Sequence, residues 1–356
     1  MDTTFAVGSN ATTSLPVSNG SDVIVIDRYL SPAIHYACGI AMTLGTILGI
    51  FGNTSILLMF LKFKNLRSTT NLFIMSLNVS DLMLAVFGCP MSGISSFALK
   101  WVFGDVGCVL HGFMMYFAGL SEMYCLTAIA IDRYIVIAKP LLAPAITQTK
   151  ALIAIVACYV GGLMFAMAPL FGWSKYTYEG AGTTCGIDWI TKRPQDVSFA
   201  ITILIACYLT PVGIMLFCYL NIYLTVLSST RSGTWDKQSS IAKRNARLER
   251  KMALMTVAML GNFLLCWTPY ALVSCIATFG DPYSMPLLLV HIPSMFAKCA
   301  AVMNPIIYVG LNQQFRDAFL EMCPCCSGIV ACFASKSDDD DDDDDADAGE
   351  GAGGSG

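Results

Sequence analysis

Residues 294–308 read SMFAKCAAVMNPIIY, an apolar run interrupted by one cation, Lys298. How such runs are read decides the fold. The 356-residue chain is 55% hydrophobic and 13% charged, and long apolar runs alternate with short polar links. That pattern belongs to a chain that uses a lipid bilayer as solvent. A spanning helix needs about 20 mostly apolar residues. Seven runs qualify, near 33–61, 70–98, 106–138, 149–171, 197–227, 250–277 and 286–310. Each holds Gly, Pro or a polar residue, as bundle helices tolerate, and no sheet pattern competes. The expected fold is an all-α membrane protein, a seven-transmembrane helix bundle with a short amphipathic eighth helix. Four regions follow: an N-terminal segment 1–32, the bundle 33–310, the amphipathic stretch with its cysteines 311–326, and a tail 327–356.

The formal net charge of −4 is misleading, because ten of the 25 acidic residues fall in the last 19 positions, Asp338–Asp345 without a break. Bases cluster in alternate links: Lys62, Lys64 and Arg67; Arg133, Lys139 and Lys150; then Lys243, Arg244, Arg247, Arg250 and Lys251. Lysine and arginine near helix ends mark the cytoplasmic side, which puts the N-terminus outside. The first 30 residues show no apolar core with a cleavage site. The sequons at Asn10 and Asn19 are therefore expected glycosylation sites, whereas those at Asn53 and Asn78 fall inside helices and should be inert.

Most of the fifteen cysteines lie in apolar spans and read as small hydrophobes. Cys108 opens the third span and Cys185 lies in an outer link, so both face an oxidising compartment and are expected to be bonded. Cys323, Cys325 and Cys326 follow the amphipathic stretch Asn312–Met322. They are candidates for palmitoylation, the alternative being unmodified thiols.

Ionisable residues inside a span are costly and mark function. Here they are Asp81, His111, Glu122, Asp132, Arg133 and Lys298. His111, Glu122 and Arg133 recur at intervals of 11 residues, so they share one helical face that must look into the bundle. Asn53, Asp81 and Asn304 fall at similar depth and are expected to form a polar cluster that Glu122 joins. Two carboxyls there would share a proton or flank a sodium ion; no other metal site is evident. Lys298 allows three readings: snorkelling, for which it lies too deep, a buried salt bridge, or an amine that condenses with an aldehyde.

These residues resemble the animal opsins, retinal-binding G-protein-coupled receptors, over about 33–326. Gly52-Asn53, Leu77-Asn78-Val-Ser-Asp81, Asp132-Arg133-Tyr134, Pro211 with Tyr219, Cys266-Trp267-Thr-Pro269-Tyr270 and Asn304-Pro305-Ile-Ile-Tyr308 are marks of the receptor class. Phe296-Ala297-Lys298 and Cys185-Gly-Ile-Asp188 are marks of the opsins. The resemblance implies retinal (11-cis in the dark) as a Schiff base on Lys298, lined by Gly119, Trp267 and Tyr270 under a lid of residues 184–189 beginning at Thr184. It also implies that helix six tilts about Trp267–Pro269, freeing Arg133 from Asp132 and Glu249 to meet a heterotrimeric G protein. Tyr134, Tyr219, Asn304, Pro305 and Tyr308 would complete the switch. A plasma or photoreceptor membrane would house the protein.

Two residues depart from the pattern. Vertebrate visual pigments keep a glutamate counterion where this chain has His111; Glu179, six residues before Cys185, is the replacement expected from the invertebrate type, with chloride near His111 as runner-up. Pigments of that type are often bistable. Tyr159 stands where tryptophan is usual and bears on helix packing or lipid contact. The aspartate tail reads as a solvated, disordered segment, or as an imitation of a phosphorylated arrestin site, and the terminal Gly-Ala-Gly-Gly-Ser-Gly reads as a linker. Competing functions are a retinal photoisomerase and a receptor for a diffusible ligand. No hydrolytic triad, phosphate loop, zinc spacing or nucleic-acid surface appears, so neither enzyme activity nor nucleic acid is expected.

Overall fold

The computed structural model describes residues 14–19, 22–27, 30–231, 240–324 and 327–328, with side chains for 30–228, 248–324 and 327–328. Asn10, Cys325, Cys326 and the aspartate run lie outside these residues, as does the side chain of Asn19.

Among the described residues the main helices are α1 Pro32–Lys62, α2 Thr69–Phe97, α3 Gly104–Ala138, α4 Gln148–Phe171 and α5 Pro194–Ser228; α6 Ser240–Phe279; α7 in two pieces, Leu287–Lys298 and Ala300–Leu311; and α8 Gln313–Met322. Six are long and apolar enough to cross a membrane, and the two pieces of α7 make a seventh span. Ile47, Leu61, Leu265 and Leu272 are exposed large apolar side chains. That outward apolar surface is what a bilayer-embedded bundle needs, since lipid replaces water around it.

α3 is the central post, packed against α2, α4, α5 and α6. Its buried Met123, Leu126 and Ile129 form one core with Ile56, Leu77, Met255 and Tyr308. Tyr159 on α4 donates to Ser76 O at 2.7 Å and lies 3.0 Å from Ser80 Oγ. The residue that departs from the opsin pattern therefore joins α4 to α2 by hydrogen bonds.

Two short antiparallel hairpins accompany the helices among the described residues. β1 Ser14–Asn19 pairs with β2 Asp22–Asp27, and β3 Tyr176–Glu179 pairs antiparallel with β4 Thr184–Ile187. Four-residue strands are too short to show a two-residue period above the surrounding loop.

α7 is also not the continuous helix that its apolar run suggests. It bends by 42° at Cys299. Pro305 has no N–H for the carbonyl four residues before it, Ala301 O. Asn53 Nδ2 donates to that oxygen at 2.8 Å, and Asn262 Nδ2 donates to Ala300 O at 3.1 Å. Side chains of α1 and α6 thus reach backbone carbonyls of the second piece of α7, including the one that Pro305 leaves without its usual donor, as a bilayer demands. α2 and α5 carry widened turns at Leu84–Gly88 and Ile203–Leu209.

α8 turns away after Asn312, whose side chain accepts from Gln314 N at 3.0 Å. Phe315 anchors it against Phe60 and Tyr308.

Candidate functional site

Lys298 closes the first piece of α7 and is only 5% exposed. Its Nζ donates to Ser294 O at 2.8 Å, one turn back on the same helix. The ammonium is therefore held inside the bundle and turned from the lipid.

The β3–β4 hairpin plugs the same end of the bundle. Every residue of β4 is buried, which requires covalent and polar anchors. A disulfide joins Cys185 to Cys108 on α3, with Cα atoms 5.4 Å apart. His111 Nδ1 lies 3.0 Å from Cys185 O, and its Nε2 lies 3.1 Å from Ser92 Oγ. A carbonyl only accepts, so Nδ1 carries a proton. Both ring nitrogens are engaged, and His111 offers no free donor to an anion. Ser92 Oγ also lies 3.3 Å from Thr184 Oγ1, and Tyr176 OH donates to Ala166 O at 2.8 Å.

Glu179 ends β3, and its carboxylate lies over Gly186 on the paired strand. A Cβ at 186 would come within 2.8 Å of Oε2, so the carboxylate needs glycine beneath it. Tyr270 OH donates to Glu179 Oε1 at 2.6 Å. Having spent its only proton there, Tyr270 accepts from Trp189 Nε1 at 3.0 Å and from Tyr116 at 3.3 Å. Burial pushes the Glu179 carboxyl above its usual range, while the nearby Lys298 charge and the Tyr270 hydrogen bond pull it down.

Lys298 and Glu179 face one cavity, shared with Tyr116, Trp267, Tyr270 and Ala297. Among the described residues they form no ion pair; Lys298 bonds to Ser294 O and Glu179 to Tyr270. A second cavity lies beyond Trp267 and Gly119, toward Tyr208, Phe263 and Cys275. Trp267 stacks on Phe263 at 5.7 Å and separates the two spaces, which also share Met115, Tyr116 and Tyr270. The predicted lining residues Gly119, Trp267 and Tyr270 are thus brought together; Thr184 is buried on Ser92 behind the cavity wall.

Below the cavity, Asn304 Nδ2 donates to Asp81 at 2.9 Å and to Glu122 at 3.4 Å. Both carboxyls are fully buried. Asn53 reaches the α7 backbone, so it joins α1 to α7 without touching the carboxyl pair directly. At the far end, Arg133 pairs with Asp132 at 2.7 Å and with Glu249 of α6. Thr70 on α2 donates to Asp132 at 2.7 Å and also meets Arg133. Tyr134 stacks edge-on against Phe217, and Tyr219 and Tyr308 belong to the adjoining core. Cys323, at the end of α8, is half-buried.

Sequence reasoning missed Thr70, Ser92, Tyr116 and Ser294, while Trp189 falls within the expected lid 184–189. Hydroxyl and aromatic residues are common in helices, and a search for ionisable groups passes over them.

The profile of the 7 transmembrane receptor (rhodopsin family) matches residues 52–308. The chain belongs to that family. It is 35% identical over 322 residues to a melanopsin of Branchiostoma belcheri, covering 88% of this chain and 46% of that protein. It is 37% identical over 305 residues to a Gq-coupled rhodopsin of Mizuhopecten yessoensis, covering 82% and 61%. The chain thus spans about half to three fifths of the length of these two relatives. With the human visual pigment-like receptor peropsin, identity is 31% over 298 residues, covering 82% and 85%. A crystal structure of squid rhodopsin superposes with a TM-score of 0.81 at 30% identity, covering 94% of this chain and 97% of that one.

Proposed function

We propose that the chain is a light-activated G-protein-coupled receptor that carries retinal as a Schiff base on Lys298, with Glu179 as counterion. One observation carries this reading: a buried lysine and a half-buried glutamate share an aromatic-lined cavity, and a second, almost wholly apolar one adjoins it across Trp267. An elongated conjugated aldehyde suits such a space, because flat rings pack along a flat chain. Retinal supplies the aldehyde that condenses with Nζ and a polyene that changes shape on absorbing light.

The chain's own residues do the rest. Glu179 holds negative charge on the Lys298 side of the cavity, and Tyr270 fixes one of its oxygens. Trp267, seated on Gly119, fills the joint between the cavities and stands two residues before Pro269, where α6 lacks a ladder hydrogen bond. A push on Trp267 is therefore delivered at the weakest point of α6. Arg133 links α3 to α6 through Glu249, so a swing of α6 breaks that pair and opens the far end of the bundle for a G protein. In this reading the hairpin end is extracellular, and the end with Arg133, Lys62 and α8 is cytoplasmic. The Arg133–Glu249 pair favours signalling over photoisomerisation as the output, since an isomerase has no use for it.

The test is reductive trapping. Borohydride treatment of the retinal-loaded protein, followed by peptide mass spectrometry, should place the retinyl adduct on Lys298. An adduct elsewhere, or none, contradicts the assignment.

A further inference from the structure

His291 is fully buried, seven residues before Lys298 on α7. Seven residues are two helical turns, so the imidazole stands on the same face as the lysine, about 10 Å along the helix. Its Nδ1 accepts from Ala181 N at 3.3 Å. Ala181 belongs to the tight turn between β3 and β4, closed by Gly182 N donating to Glu179 O at 3.0 Å. Gly180 has a φ of +58°, and a Cβ there would lie 2.8 Å from His291 Nδ1 and 3.1 Å from His291 Cα. The turn is therefore pressed directly onto α7, and only glycine allows both its conformation and its approach. On the far side, His35 of α1 backs the ring at 5.8 Å between centroids. The next residue back from this turn is Glu179.

We infer that His291 is a positioning residue: by docking the Gly180–Ala181 turn on α7 it fixes the Glu179 carboxylate relative to Lys298 of the same helix. This rests on the counterion reading given above. Besides its pairing with Thr184 in the hairpin, Glu179 then has two anchors on helices, Tyr270 on α6 holding its carboxylate and His291 on α7 holding the adjoining turn. The second anchor travels with the lysine. When α6 moves, the backbone of the counterion stays in register with the helix that bears Nζ.

The experiment measures the pH at which the visible band of the retinal-loaded receptor converts to the near-ultraviolet one. It compares wild type, His291→Leu, His291→Asn, Gly180→Ala and Glu179→Gln, with His291→Leu repeated in the Glu179→Gln background. Asparagine places its amide oxygen near the position of Nδ1 and keeps the acceptor. The expected result is a fall in Schiff-base pKa of about one unit or more, a tenfold change in proton affinity, for His291→Leu and for Gly180→Ala. His291→Asn restores it, and His291→Leu adds nothing once Glu179 is neutral. A normal pKa in both His291→Leu and Gly180→Ala, with Glu179→Gln shifted, overturns the inference alone. A pKa unchanged in Glu179→Gln overturns the counterion reading and this inference with it. Retinal uptake reports folding, and Gly180→Ala, which leaves the imidazole intact, decides the matter if His291→Leu does not load.

Discussion

The hydroxyl of Tyr270 donates to Glu179 at 2.6 Å. The carboxylate on the hairpin is thereby tied to α6, the helix that also carries Trp267 and Glu249. A single proton links the lysine's cavity to the element that has to move.

Removing that proton should weaken the anion. A hydrogen bond to a charged group contributes about 1.5–3 kcal/mol, equivalent to about one to two pK units. Tyr270→Phe is expected to raise the carboxyl pKa of Glu179 by that amount, seen as an upward shift of the acid-side spectral transition. A transition at the wild-type pH would show that the bond does not stabilise the carboxylate.

Stability of the retinal-free protein should depend on the same carboxyl. Burial raises its folded pKa above the unfolded value, so the folded state holds more protons in that window. Stability is then present below the unfolded pKa and falls as pH rises through the folded pKa. Glu179→Gln should flatten this slope and raise the melting temperature at neutral pH. Parallel melting curves against pH for both proteins would contradict it.

Arg133 and Glu249 pair across α3 and α6, with the glutamate 38% exposed. Solvent screening limits such a pair to about 0.5–1 kcal/mol. Glu249→Gln should accordingly raise dark nucleotide exchange on a G protein about two- to fivefold. Thr70→Val should act in the same direction, because Thr70 bridges Arg133 and Asp132. Unaltered dark exchange in both variants would remove this cluster from the switch.

Tyr159→Phe removes the bond to Ser76 O and should cost about 1 kcal/mol, lowering the melting temperature by about 2–4 °C while leaving the dark spectrum in place. A spectral shift would mean that Tyr159 bears on the cavity and not only on the α2–α4 seam.

Asp81 and Glu122 share one amide donor in a fully buried site, which two negative charges would not tolerate. A proton shared between them predicts equal melting temperatures in sodium and choline chloride. A sodium-specific rise that disappears in Glu122→Gln would place the ion there instead.

How much of this was legible in the sequence follows from the range over which each signal acts. The spans were legible because lipid exposure forces some 20 apolar residues into each, and Arg133, Glu122 and His111 were placed on one face by spacing alone. The break in α7 was not: the side chains that meet the carbonyls beside it, Asn53 and Asn262, lie on other helices. The hairpin strands were hidden by their shortness. Thr70 and Tyr116 were hidden by chemistry that is ordinary until a charged or phenolic partner is packed beside it. Lys298 stood out because an ammonium at that depth is costly and leaves few readings, a buried salt bridge or an amine put to chemical use.

The most direct test is an absorption spectrum of the purified protein expressed with 11-cis retinal, taken in the dark, after illumination and after a second illumination at the photoproduct's wavelength. Retinal bound at Lys298 should give a band that shifts with light, returns with the second illumination and is absent from Lys298→Ala. A well-folded wild type with no retinal band, or a band that survives the loss of Lys298, would contradict that assignment; a photoproduct that decays in the dark to free retinal would contradict only bistability.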